Sequence, residues 1–490
     1  MGIKLTRGDA VVNVVERTMD EASGAAYRND SAFANAKSSL PLPVLISARL
    51  ERLPIVRWQI LVRCVIGVVT FFDAFDMLMI SYVLPVISKE WQLSQYGSTW
   101  AIVSGSAGML VGAVGLGWLA DRFGRVRVIV IALLVYSMTS LALAFSPGYE
   151  VFIGLRFLQG VGIGGEVPVA ATYINEIARA HKRGMFVLLY EMIFPLGVAV
   201  HGLVATLVVP TLGWRWLFVI GALPLPMVFL IRKYVPESPR WLASKGHTQR
   251  ALETMDYIEQ QVSKYVKGPL PEVRLPVASK APARGTWRDL FKPPYLRRTM
   301  VLWTMWFTLS FVHLGIVNWL PTLYMQQFGL SLKASLAYAA INPWFALLGG
   351  FFVAMVIDRF GRRFTLGTAL AACGLILFFL SLSGPQSFEV VAVSCALLAF
   401  SSTIVITGLY LYTPELYPTR FRAMGASFGG VWSRLGAIAG PATFGFLLHA
   451  TTSLSVGFAV LGAVGLIGGI LALIFSEETS GRVLEEISPE

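Results

Sequence analysis

Apolar residues in this chain gather in blocks of about 20, long enough to cross the ~30 Å hydrocarbon core of a bilayer as a helix. Short polar turns separate the blocks. They predict helices near 58–86, 99–120, 128–146, 150–174, 185–211, 216–234, 299–325, 335–357, 365–383, 388–413, 424–448 and 452–476. These twelve spans fall six and six around a polar stretch from Pro236 to Arg298. The expected fold class is an all-α membrane protein, twelve transmembrane helices in two pseudo-symmetric six-helix bundles. On that plan 1–57 is a cytoplasmic tail ending in an interfacial segment, and 58–234 and 299–476 are the bundles. Residues 235–298 form a cytoplasmic central loop and 477–490 a cytoplasmic tail.

The turns repeat. Asp-Arg-Phe-Gly-Arg occupies 121–125 and returns at 358–362, 237 positions later. Glu176 stands seven residues before Arg183-Gly184-Met185, and Glu415 stands seven before Arg422-Ala423-Met424, an offset of 239. Matching charged turns in matching places indicate a duplicated bundle. Such an architecture suits a carrier that rocks one half against the other. Asp121, Arg122, Arg125, Glu176 and Arg183 in the first half, with Asp358, Arg359, Arg362, Glu415 and Arg422 in the second, are expected to gate the inner end. A basic turn that only sets topology would not repeat the acidic residues.

Composition agrees. Hydrophobic residues make up 55% and charged residues 14%, well below the roughly 25% charged of a soluble domain. A net charge of +12 would suggest a nucleic-acid partner in a soluble protein, but its distribution gives another reason. Of the 40 Lys and Arg, 34 lie in the tails and in alternate loops, whereas the opposite loops hold only Lys89, Arg215 and Lys333. By the positive-inside rule both termini and the central loop are cytoplasmic, in a cell (inner) membrane, with no nucleic acid involved. The first fifty residues lack a charged stretch followed by an apolar one, so no cleavable signal is expected. Arg49, Arg52 and Arg57 around Leu53-Pro54-Ile55 suggest a segment lying on the inner leaflet. Cys64, Cys373 and Cys395 read as packing residues, with no disulfide or metal site. There is no P-loop, nucleophile elbow or dinucleotide fingerprint, so neither enzyme chemistry nor a cofactor is expected.

Charge inside a bilayer costs on the order of 2.5–3.5 kcal/mol per residue even on the lenient scale, so each such group asks for a partner or a task. In the first span Asp73 and Asp76 stand at i and i+3, about one turn apart on one face. Two carboxylates so close cannot both ionise easily in a dry site, which makes them candidates for carrying a proton. Arg156 in the fourth span supplies the counter-charge, and Gly160, Gly162, Gly164 and Gly165 beyond it allow a neighbouring backbone to approach. An Arg that competes with the proton for a carboxylate gives a coupling switch; a purely structural Arg–Asp pair is the alternative. Arg434 in the eleventh span is suited to hold a substrate carboxylate bidentately, or else to pair with a buried acid. Glu166 and Glu191 meet the same test; Glu191 is a candidate to accept a substrate N–H or to bridge helices. Trp319 and Tyr410 are candidates to line a slot for a flat ligand, with Asn318 and Asn342 as amide partners. His201 and His313 read as core residues.

With these motifs in hand, the chain resembles major facilitator superfamily transporters from about residue 50 to 480. The resemblance rests on Gly117–Arg125 and its copy at 358–363, Arg156–Gly165, Pro236–Leu242 and Pro414–Thr419. Gly164–Ala170, Ala180–Gly184 and Asp73-Ala74-Phe75-Asp76 are similar to the synaptic-vesicle-protein-like branch that includes bacterial niacin transporters, related to sugar porters. Val126 replaces a basic residue common in the family, and Ala354 replaces the glycine opening the second hinge motif. No Gln-Gln pair lies in the seventh span, which weakens a sugar-porter reading. The resemblance implies a proton symporter working by alternating access, with Asp76 and Arg156 at the coupling positions. The expected cargo is a small organic anion, an aromatic or heteroaromatic monocarboxylate such as nicotinate, carried with protons by a monomer in the lipid bilayer. A sugar or neutral-metabolite symporter and a drug/proton antiporter are the alternatives.

Overall fold

The computed structural model describes residues 41–177, 193–266, 268–273, 286–382, 387–418, 421–451 and 453–482. Glu191 and Arg183 lie outside the described residues. So do 1–40, the start of the predicted fifth span and the last eight residues. Among the described residues every regular element is helical.

A small unit gathers α1 (Leu42–Glu51), α10 (Pro239–Ser244) and α11 (Thr248–Ser263). The sequence stretch expected as a loop thus holds two helices. In α11 the buried residues Ala251, Met255, Ile258 and Val262 recur at helical spacing and give it one apolar stripe. Arg49 reaches Asp256 at 2.5 Å and Glu259 at 2.7 Å, and Arg52 reaches Glu259 at 2.8 Å. These arginines, expected against lipid headgroups, therefore have protein carboxylates as partners.

The larger unit holds the membrane helices. The first traversal is α2 (Arg57–Met77) and α3 (Met79–Glu90), interrupted at Leu78 just after Asp76. There follow α4 (Gln95–Phe123), α5 (Arg125–Ala144), α6 (Tyr149–Ile177) and α7 (Ile193–Leu212). The sixth traversal is split into α8 (Trp214–Gly221) and α9 (Met227–Tyr234) around Pro224 and Pro226. Proline removes a backbone donor and breaks the helix there. The second set runs α12 (Tyr295–Val317) with α13 (Leu320–Phe328), and α14 (Leu332–Ala339) with α15 (Asn342–Phe360). It continues as α16 (Arg362–Leu382), α17 (Phe388–Glu415), α18 (Arg422–Thr451) and α19 (Leu454–Phe475). Nine helical segments among the described residues are long and apolar enough to cross a membrane. Broken α8–α9 falls short, as do α6 and α18, which carry glycines and charged residues.

Small residues set the packing. On α4 and α6 glycines let each helix lie against the other's backbone. A Cβ on Gly108 would lie 2.0 Å from the Phe157 carbonyl oxygen, and one on Gly164 would lie 2.1 Å from that of Met109. The backbones touch, as close helix pairs in membranes do. The second set repeats the device between α12 and α18, where Gly436 and Gly440 lie on the Phe307 and Phe311 carbonyls.

Candidate functional site

The fully buried Asp73 and Asp76 occupy the last turns of α2. Asp76 accepts a hydrogen bond from Gln159 Nε2 at 3.1 Å, and Gln159 Oε1 accepts one from Arg156 Nη1 at 2.6 Å. Arg156 is the cation in electrostatic range of Asp76, but its hydrogen bond passes through Gln159. Two glycines clear the room. A Cβ on Gly105 would stand 2.8 Å from Arg156 Nη2, and one on Gly221 would stand 2.3 Å from Asp76 Oδ1.

Asp73 sits differently. No N–H or O–H of the described residues reaches either of its oxygens. Its charged neighbours are Glu166, Asp76 and Arg434. Glu166 is fully buried on α6 and accepts from Thr70 Oγ1, one turn before Asp73, at 3.2 Å. Arg434 comes from α18 in the second set of helices. Its Nη2 donates to the Gly164 carbonyl at 3.2 Å, and its electrostatic partners are Tyr410 and Asp73. The structure therefore brings Asp73, Asp76, Arg156 and Arg434 together, with Glu166 and Gln159 between them. Tyr410 is the exposed member: the residue is 63% exposed and its ring lies edge-on to Trp306 at 5.1 Å.

The other binding candidates have structural partners. Asn318 accepts from Ser81 at 2.9 Å, a bond from one set of helices to the other. Trp319 is buried and donates to the Pro441 carbonyl at 3.2 Å. Asn342 donates to the Ala339 carbonyl at 3.1 Å. His201 is held edge-on between Phe75 and Tyr82, and His313 bonds Ser402 at 2.8 Å.

The charged turns form two matching networks, each within its own half. Arg125 binds Asp121 at 2.6 Å and Glu176 at 3.1 Å; Arg362 binds Asp358 at 2.6 Å and Glu415 at 3.2 Å. Glu237 accepts from the backbone N–H of Arg125 at 2.9 Å, and Glu478 accepts from that of Arg362 at 2.8 Å. Both carboxylates cap a helix N-terminus, where the helix dipole favours negative charge. Gly124 at φ 111° and Gly361 at φ 83° make the turns, in backbone that side-chain-bearing residues seldom adopt. Arg122 lies over Trp118 and Phe123, Arg359 over Phe360, and Arg422 donates to the Tyr417 carbonyl. Among the described residues these three bind no carboxylate.

Sequence reasoning missed Gln159 and Glu478. Gln159 was legible as the i+3 partner of Arg156, and Glu478 as the repeat partner of Glu237, 241 positions on.

The family described as "Sugar (and other) transporter" matches residues 58–490. The chain belongs to this family. It is 36% identical to the niacin transporter NiaP of Acinetobacter baylyi, over 90% of this chain and 99% of that one. It is 30% identical to the 4-hydroxybenzoate transporter PcaK of the same organism, over 83% of this chain and 88% of that one. Among solved structures, the crystal structure of a D-xylose-proton symporter superposes with a TM-score of 0.67 at 19% identity, covering 86% of this chain and 99% of that one. That likeness carries the fold, the major facilitator arrangement of helices. The protein is a multi-pass membrane transporter of a small molecule in the cell membrane, and not an enzyme.

Proposed function

We propose that this transporter is a proton symporter that imports a small aromatic or heteroaromatic monocarboxylate such as nicotinate by alternating access. One observation carries the reading: Arg434, a half-buried cation of the second set of helices, stands in electrostatic range of Asp73 in the first and of the exposed Tyr410. A guanidinium takes a carboxylate in two parallel hydrogen bonds, and an adjacent aromatic face suits a flat ring. Arg434 spans the two halves, so an anion that draws it off Gly164 changes a contact between them. In this reading Asp76 carries a proton, and protonation frees Gln159 and Arg156 from its charge. The relatives named for niacin and 4-hydroxybenzoate support the substrate class. The distribution of Lys and Arg supports cytoplasmic termini. The paired turn networks serve as gates within a monomer.

The test is nicotinate uptake into proteoliposomes, with and without an inward proton gradient, with benzoate and glucose as competitors. Gradient-driven accumulation blocked by benzoate is expected. A glucose signal with no nicotinate uptake would overturn the anion reading and leave Arg434 a structural residue.

A further inference from the structure

We propose that Asp73 and Glu166 form a second proton site, separate from Asp76, whose proton count is set by the anion on Arg434. The geometry argues it first. Asp73 is fully buried, receives no hydrogen bond from any described donor, and has another buried carboxylate, Glu166, as its neighbour. Two ionised carboxylates cannot stay together in a dry site, and a shared proton supplies the donor that Asp73 lacks. Thr70 holds Glu166 one turn from Asp73, which fixes the pair across α2 and α6.

Charge counting completes the argument. The groups facing the pair are Asp76 on the same helix, Arg434 on α18 and Tyr136 on α5, whose O–H is aimed at the Val69 carbonyl. From α7 comes His201, enclosed by Phe75 and Tyr82. From α8 and α9 come Arg215, bound to Glu90, and the exposed Arg232 and Lys233. Arg434 is thus the compensating charge. With one proton, the pair and Arg434 sum to zero. A monocarboxylate arriving on Arg434 leaves one uncompensated negative charge in a buried place, which is costly. A second proton from water, bound to the other carboxylate, restores neutrality. Anion binding therefore takes up about one proton at this pair. This last step rests on the anion reading above, whereas the shared proton does not.

Infrared spectra of the full-length protein in lipid, at neutral pH and without ligand, test the shared proton. Asp73→Asn and Glu166→Gln should each remove a carboxylic-acid carbonyl band that Asp76→Asn leaves. Each leaves one carboxylate that Arg434 can neutralise. Arg434→Gln should enlarge the band, and it carries the test alone if an amide variant does not fold. A band indifferent to both amide variants, or no rise in Arg434→Gln, overturns the site. Nicotinate added to weakly buffered protein should then take up about one proton per anion in wild type and in Asp76→Asn, and none in the Asp73→Asn/Glu166→Gln double variant. Binding without proton uptake in wild type overturns the linkage. A wild type that binds neither nicotinate nor benzoate sinks the anion reading and leaves the infrared result standing.

Discussion

At the scale of single residues, charge in an apolar run is conspicuous, and Asp73, Asp76, Arg156 and Arg434 were all legible for that reason. Their pairing was not. The sequence joins Arg156 to the first span directly, but Gln159 stands between them, and a lone Gln attracts no notice. Nor does sequence show that Asn318 Oδ1, Asn342 Nδ2 and Trp319 Nε1 bond to Ser81, Ala339 and Pro441, since that depends on where helix breaks fall. Two predictions belong here. Asp76→Asn should spare nicotinate exchange and lower proton-driven accumulation by about tenfold per pH unit of gradient, the value of one coupled proton. Equal loss of exchange and accumulation would mark Asp76 as structural. Arg434→Ala removes two hydrogen bonds to a charge, each worth roughly 1.5–3 kcal/mol, and should weaken nicotinate binding about a hundredfold or more by calorimetry.

Among elements, the helices were readable because their apolar blocks match the bilayer. The interruption at Leu78 was not, because a continuous apolar run does not record where its backbone hydrogen bonds fail, whereas Pro224 and Pro226 did mark the break at 222–226 and went unread. Glycines mark the tightest contacts. Gly112→Leu puts a side chain where a Cβ alone would lie 2.0 Å from the Val161 carbonyl oxygen. It should cost about 1–3 kcal/mol or more through overpacking, read as a lower thermal midpoint in detergent. Gly117→Leu on the same helix, where a Cβ meets nothing within 4 Å, is the control. The caps make a paired prediction. Glu237→Gln and Glu478→Gln should each destabilise by roughly 0.5–2 kcal/mol, because each weakens one helix N-terminus in the same way. A large effect at one and none at the other would deny the repeat its functional symmetry.

For the whole molecule, the duplication seen in the turns extends to Arg125 and Arg362, to their acidic partners and to the capping carboxylates. The small unit of α1, α10 and α11 escaped the sequence reading because its helices are short and its loop is polar. Its arginine–carboxylate cluster is testable by charge reversal. Arg49→Glu with Arg52→Glu should make the segment around α1 more sensitive to protease, and adding Asp256→Arg with Glu259→Arg should restore resistance. Rescue that is complete at low salt and fades at high salt is the electrostatic signature, given that Asp256 is 59% exposed. No rescue would show that packing alone holds the helix.

The frame is symmetric, but the chemistry inside it is not: Asp73, Asp76 and Glu166 lie in one half, and among the described residues the second half meets Asp73 with the cation Arg434. This has an electrical consequence. An anion accompanied only by the proton of the Asp73–Glu166 pair crosses as a neutral bundle, on which voltage does no work. If the proton of Asp76 travels as well, each cycle moves one net positive charge, worth about 2.3 kcal/mol per 100 mV. An inside-negative potassium diffusion potential should therefore hasten nicotinate entry in the wild type and lose its grip in Asp76→Asn, so that the current per anion counts the proton sites that travel.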